Sequence, residues 1–282
     1  MRTKRKPAAA LILALLLASA LRCGGAEPAS LRILVTNDDG IEAPGLAALA
    51  AALGKVGAIT VAAPLREQSG VSHGMTTRRL IPVRESVRDG AKWYAIDATP
   101  ASCVRLALES LLADKPDLVV SGVNRGENVG LVTFYSATVA AAREAAFLRI
   151  PAVAVNLQSG EKMDYAAAAD FTAALVRELL RAGLERGLLL NVNVPALPRA
   201  AIRGILVTRL DSRPTVELFE KKDVRDGETE YWPSYQTLDA GPAGTDIWAV
   251  RNGYIAVTPL SLDQTDPARL EPLKPLEKLA WK

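Results

Sequence analysis

Apolar positions along this chain fall into two kinds of run. Short continuous stretches rich in Val, Ile and Ala at residues 31–36, 58–63, 93–96, 118–120, 151–155, 188–194 and 254–258 predict strands, several of them buried on both faces. Longer stretches at 44–53, 99–112, 136–148 and 165–182 predict helices; Pro44 near the start of the first and Gly54 just past its end are ordinary helix punctuation. Strand and helix alternate through the first two thirds of the chain, which predicts an α/β fold with a Rossmann-like, doubly wound, mostly parallel sheet. After Leu210 the texture changes. Glu220-Lys221-Lys222-Asp223 and Arg225-Asp226-Gly227-Glu228 are too polar for a core layer, so residues 211–250 are expected to form a protruding hairpin or partner-binding arm, with a solvated loop as the alternative.

The N-terminus changes the reading of the charge. Arg2, Lys4, Arg5 and Lys6 precede an apolar run of roughly 14 residues, too short for a comfortable bilayer span and typical of a secretory signal. Residues 1–26 are therefore expected to be a signal peptide and 27–282 the folded domain, exported to a periplasmic or extracellular site. Cys23 raises lipid anchoring, but Arg22 before it argues against that signal. The formal charge of +3 includes five cations within residues 1–26, Arg22 being the fifth, and no acid there, so the mature chain carries −2. A strongly basic nucleic-acid surface and a polybasic membrane patch are thereby excluded as expectations, and no membrane span is expected. Cleavage also leaves Cys103 as the single cysteine, beside one histidine, so any metal must be held by oxygen.

The chemistry is concentrated where the first strand ends, in Asn37-Asp38-Asp39-Gly40. Such a tetrapeptide can be a simple turn. In an open parallel sheet, however, ligands bind beyond the C-terminal strand ends, where the loops carrying Asp38 and Asp39, Ser69 and Asn124 would all emerge. Two carboxylates, a hydroxyl and an amide carbonyl suit Mg²⁺, Mn²⁺ or Ca²⁺, and so sparse a set leaves coordination positions open for catalysis. Ser136 and Thr138 at a helix start, with Asn128 between glycines, supply an anion pocket on the same edge, although capping alone often explains Ser or Thr there. A cation beside a phosphate cradle points to metal-assisted phosphoester hydrolysis.

These residues resemble the SurE family of 5′/3′-nucleotidases. The likeness runs through Asn37-Asp38-Asp39-Gly40 with Ala43-Pro44-Gly45, Ala63-Pro64, Gln68-Ser69-Gly70, Thr99-Pro100 with Cys103-Val104, and residues 116–124 with Gly126 and Asn128. It continues through Tyr135-Ser136 with Thr138-Val139, Asn191-Val192-Asn193-Val194-Pro195, and Gly253-Tyr254 with Thr258-Pro259-Leu260. It implies one divalent cation per subunit on Asp38, Asp39, Ser69 and Asn124, and hydrolysis of nucleoside 5′- and 3′-monophosphates and short polyphosphate. It also implies a homodimer or homotetramer built partly through an exchanged C-terminal segment. Ala137 and Ala98 depart from the family's usual glycines, and Leu131 and Val132 stand where members often carry an acid.

In the expected mechanism Asp38 or Asp39 accepts a proton from the attacking water. Asn128, Ser136 and Thr138 steady the phosphate oxygens, and Asn37 and Gly40 line the substrate side. His73, in the Ser69 loop, is a weaker expectation as a proton donor to the leaving group. The rival reading is an exported binding protein that captures a phosphorylated or anionic ligand without turnover.

Overall fold

The computed structural model describes residues 31–280 apart from 215–216, 226 and 236–238; the expected signal peptide, with Cys23, lies outside the described residues. Among the described residues eleven strands and six α-helices follow in order: β1 (Arg32–Thr36), α1 (Pro44–Leu53), β2 (Ala58–Pro64), β3 (Val83–Arg88), β4 (Ala91–Ile96), α2 (Pro100–Leu106), β5 (Leu118–Arg125) and α3 (Ala137–Phe147). Then come β6 (Ala152–Leu157), α4 (Tyr165–Ala182), β7 (Leu189–Val194), β8 (Gly204–Val207), β9 (Glu217–Arg225), β10 (Glu228–Tyr235), α5 (Asp246–Arg251), β11 (Tyr254–Pro259) and α6 (Pro267–Leu273).

Nine strands form one sheet in the order β3-β4-β2-β1-β5-β6-β7-β11-β8. Period-two alternation in β1 sends Ile33 and Val35 to one face, packed with Leu46 and Leu49 of α1 and Val176 of α4, and Leu34 to the other, packed with Val104 of α2 and Val139 of α3. Both faces are therefore covered, which is why the central strands are mostly apolar. Cys103 is buried there as a free thiol whose pKa burial pushes far up, so it packs as a small hydrophobe.

The sheet is mostly parallel, as expected, with two exceptions that alternation of hydrophobic runs did not reveal. β3 pairs antiparallel with β4, and β11 pairs antiparallel with β7 while running parallel to β8. β3, with sequence Val-Arg-Glu-Ser-Val-Arg, lacks a strand's apolar signature because it is an exposed edge. β9 and β10 form a separate antiparallel ladder, the hairpin of the expected arm. The arm is shorter than 211–250, because Asp246, Ile247, Ala249 and Val250 of α5 are buried. Among the described residues no helix is long and apolar enough to cross a membrane.

Candidate active site

The connection from β1 runs to β2 on one side, and the chain later returns to place β5 on the other, with Thr36 opposite Ser121. The gap between β1 and β5 is thus a topological switch point, where loops leaving neighbouring parallel strands diverge and open a crevice. Asn37–Gly40 leaves β1 there as a tight turn. Asn37 Nδ2 donates to the Gly40 carbonyl (2.9 Å), and Gly40 has φ +102°, in the region that favours glycine. The loop after β2 is tied to this turn, since the Gln68 N–H donates to the Asp38 carbonyl (2.8 Å). Ser69 follows immediately, exposed, its hydroxyl donating to Glu67 Oε1 (3.1 Å).

β5 delivers Asn124 through a bulge. Ser121 pairs with Ala154 but Asn124 pairs with Asn156, so β5 carries one extra residue. Glycine is required inside it: Gly122 has φ +143°, and a Cβ there would stand 2.4 Å from the Val155 carbonyl oxygen. Asn124 Nδ2 donates to the Gly126 carbonyl (2.8 Å), a partner that can only accept, so the amide oxygen is the end left for a cation.

The two carboxylates differ in surroundings. Asp38 is buried and accepts from Thr138 Oγ1 (2.5 Å), whereas half-buried Asp39 accepts from the Arg125 backbone N–H (3.2 Å). Burial raises the Asp38 pKa, the Thr138 hydroxyl pulls it down, and the Asp39 charge raises it again, leaving it at about 7. Asp39 is also raised, by burial first, against the pull of the Arg125 N–H and with a push from Glu67. Among the described residues neither carboxylate has an ion-pair partner, and no group of three or more His, Cys, Asp or Glu side chains forms a metal cluster. Two adjacent carboxylates, one buried and one half-buried, with no ion-pair partner among the described residues fit a hard divalent cation.

The phosphate side is built on α3. Ser136 is its N-cap, Oγ accepting from the Val139 N–H (3.1 Å). Its hydroxyl hydrogen remains to be donated, beside the positive end of the helix dipole. The Thr138 hydroxyl is committed to Asp38, so that side chain links the anion pocket to the carboxylates rather than standing free. Buried Asn128 gives one amide hydrogen to Asn156 Oδ1 (2.7 Å) and keeps the other. The Ser69 loop is fastened to this side too, through Ser72, whose hydroxyl donates to the Phe134 carbonyl (2.7 Å).

Of the expected residues, Asp38, Asp39 and Asn124 leave adjacent strand ends and Ser69 lies in the loop bonded to Asp38. Asn37 and Gly40 chiefly shape the turn. His73 is different: its Nε2 lies 2.8 Å from Glu144 Oε2 on α3 and its ring stacks on Phe147, so it faces the far part of that helix. Glu144 stands eight residues beyond the Ser136 cap, about 12 Å along the axis. The sequence analysis named Asn191 and Asn193 only as part of the family likeness, without a role, and missed buried Asn156 and Asp246, whose carboxylate accepts from the Gly130 N–H (2.7 Å). Asparagines two apart in an otherwise apolar strand were the available signal for Asn191 and Asn193.

The model of the family described as "Survival protein SurE" matches residues 33–217. The chain is 46% identical over 251 residues to "5'-nucleotidase SurE" of Geobacter sulfurreducens, covering 86% of this chain and 93% of that protein. It is 44% identical over 247 residues to the protein of the same name from Symbiobacterium thermophilum, covering 86% and 96%. The crystal structure of the SurE protein from Aquifex aeolicus superposes with a TM-score of 0.78 at 38% identity, covering 88% of this chain and all of that one. With paired carboxylates at the β1–β5 switch point and a match over most of its length, this chain belongs to the SurE family.

Proposed function

We propose that this chain is a divalent-cation-dependent 5′-nucleotidase that hydrolyses nucleoside 5′-monophosphates to nucleoside and phosphate. The observation that carries it is the meeting of Asp38 with Thr138: one hydrogen bond joins the carboxylate pair of β1 to the anion-binding start of α3. The relatives named 5'-nucleotidase supply the substrate class. Asp38, Asp39, Ser69 and Asn124 would hold the cation, Mg²⁺ or Mn²⁺ being the physiological choice. When bound, it supplies charge neutralisation and activation of water for attack on phosphorus.

The remaining work falls to the chain. Asp38 and Asp39 offer the carboxylate that takes the proton of the attacking water, and Thr138 orients Asp38 by donating to it. Ser136, at the positive start of α3, and the second amide hydrogen of Asn128 donate to the phosphate oxygens, which gain charge in the transition state. Activity on 3′-nucleotides and short polyphosphate follows from the family resemblance. So does assembly as a homodimer or homotetramer, for which the exposed Leu270, Leu273, Leu276 and Leu279 in and beyond α6 offer apolar surface. Export by residues 1–26 rests on the sequence pattern.

The test is phosphate release from a panel of 5′- and 3′-nucleotides, polyphosphate and an aryl phosphate, with chelator and with added Mg²⁺ or Mn²⁺. Cation-dependent turnover of 5′-nucleotides is expected. Binding without turnover would favour the rival reading, and full activity in excess chelator would overturn the cation's role.

A further inference from the structure

Asn156 of β6 and Asn191 and Asn193 of β7 are wholly buried in strands that are otherwise apolar. Buried amides are costly unless partnered. Their partners converge on Asn128. The Asn128 N–H donates to Asn193 Oδ1 (2.8 Å), and its carbonyl accepts from Asn191 Nδ2 (2.7 Å) and Asn193 Nδ2 (3.2 Å). Asn156 Nδ2 donates to Asn191 Oδ1 and to the Val192 carbonyl (both 2.8 Å), and Asn156 Oδ1 accepts from Asn128 Nδ2 (2.7 Å).

An amide side chain has two ends of nearly equal shape and opposite polarity, so its orientation must be set by neighbours that cannot turn over. Here those are main-chain groups. The Asn128 carbonyl only accepts, so Asn191 gives it the NH₂ end and leaves Oδ1 toward Asn156. The Val192 carbonyl also only accepts. Facing two acceptors, Asn156 presents its NH₂ and leaves Oδ1 toward Asn128, which answers with Nδ2. Reversing Asn156 would set three oxygens against one another.

We propose that Asn156 is a positioning residue that holds the Asn128 side chain in the one orientation from which its remaining N–H reaches the substrate phosphate. The inference rests on Asn128 being a phosphate ligand. It makes Asn128 the counterpart of Asn124, which is anchored by its nitrogen to Gly126 and keeps its oxygen for a cation.

The experiment measures KM for a nucleoside 5′-monophosphate, the inhibition constant of inorganic phosphate, cation affinity and melting temperature for Asn156→Leu, Asn128→Ala and the double variant. Asn156→Leu should raise both KM and the phosphate inhibition constant roughly tenfold, the worth of a hydrogen bond to a charged group, and leave cation affinity within about twofold. In the Asn128→Ala background the same change should add less than about twofold, because its effect passes through Asn128. A lowered melting temperature with KM unchanged would overturn the inference, as would an undiminished effect without Asn128. Should the leucine variant fail to fold, Asn156→Ala removes the same three bonds, leaves room for water and is judged by the same outcomes. If Asn128→Ala alone leaves KM unchanged, Asn128 is not a phosphate ligand and the inference falls with it, while the cation and substrate tests decide the nucleotidase reading separately.

Discussion

Replacing Thr138 by valine tests the link between the two halves of the site. Thr138 is fully buried and valine matches its shape, so the perturbation is the loss of one hydroxyl donating to Asp38 Oδ1 over 2.5 Å. A hydrogen bond to a charged acceptor contributes about 1.5–3 kcal/mol, which corresponds to roughly one to two pH units of carboxyl pKa. Burial and the Asp39 charge already hold Asp38 at about 7, and the Thr138 hydroxyl is the principal group opposing them. Without it, Asp38 stays protonated to higher pH, and a proton there competes with the cation.

Titration of Mg²⁺ or Mn²⁺ across pH 5–9 should therefore show wild-type affinity rising up to tenfold per unit below about pH 7 and levelling above it. In Thr138→Val the levelling point should move upward by one unit or more, with the acid limb of turnover moving alike. The stability linkage has the same origin. A carboxyl raised in the folded state binds its proton more tightly there than in the unfolded chain, so the cation-free protein loses stability from this group as pH climbs from about 4 to about 7. The increase in melting temperature on adding cation should consequently grow over that window. An unchanged affinity profile in Thr138→Val would refute the assignment of that hydroxyl to the carboxylate.

Asp39→Asn keeps the shape of the half-buried side chain and removes one of the two carboxylates; turnover should fall by at least about a thousandfold while circular dichroism stays native, and undiminished turnover would remove Asp39 from the site. His73→Ala should leave kcat within about threefold, because the ring faces Glu144 and Phe147, and should lower stability by about 1 kcal/mol through the lost hydrogen bond. A collapse of kcat at constant stability would restore His73 to the chemistry.

The place of the carboxylates was legible in the sequence because what sets it is local. Asp38 and Asp39 are adjacent, they terminate an apolar strand, and parallel order puts the neighbouring strand end with Asn124 on the same edge. The surroundings of Ser136 and Thr138 were legible only in outline. Ser136 and Thr138 mark a helix start, but that Thr138 turns its hydroxyl to Asp38 depends on how α3 packs across β1 and β5. His73 could not be placed either, since a polar loop carries no periodicity from which to infer the facing side.

Local pattern and composition were sufficient to determine the layered α/β architecture and the sheet edge where Asp38, Asp39 and Asn124 emerge, because hydrophobic period and strand direction are properties of short segments. Tertiary structure alone decided the antiparallel turn of β11, the burial that lifts Asp38, the bulge that presents Asn124 and the closed ring of amides around Asn128. Each of these arises between segments from 28 to 100 positions apart, as from Asn128 to Asn156 and from Asp38 to Thr138. Desolvation and hydrogen-bond direction exist only once such segments are packed together.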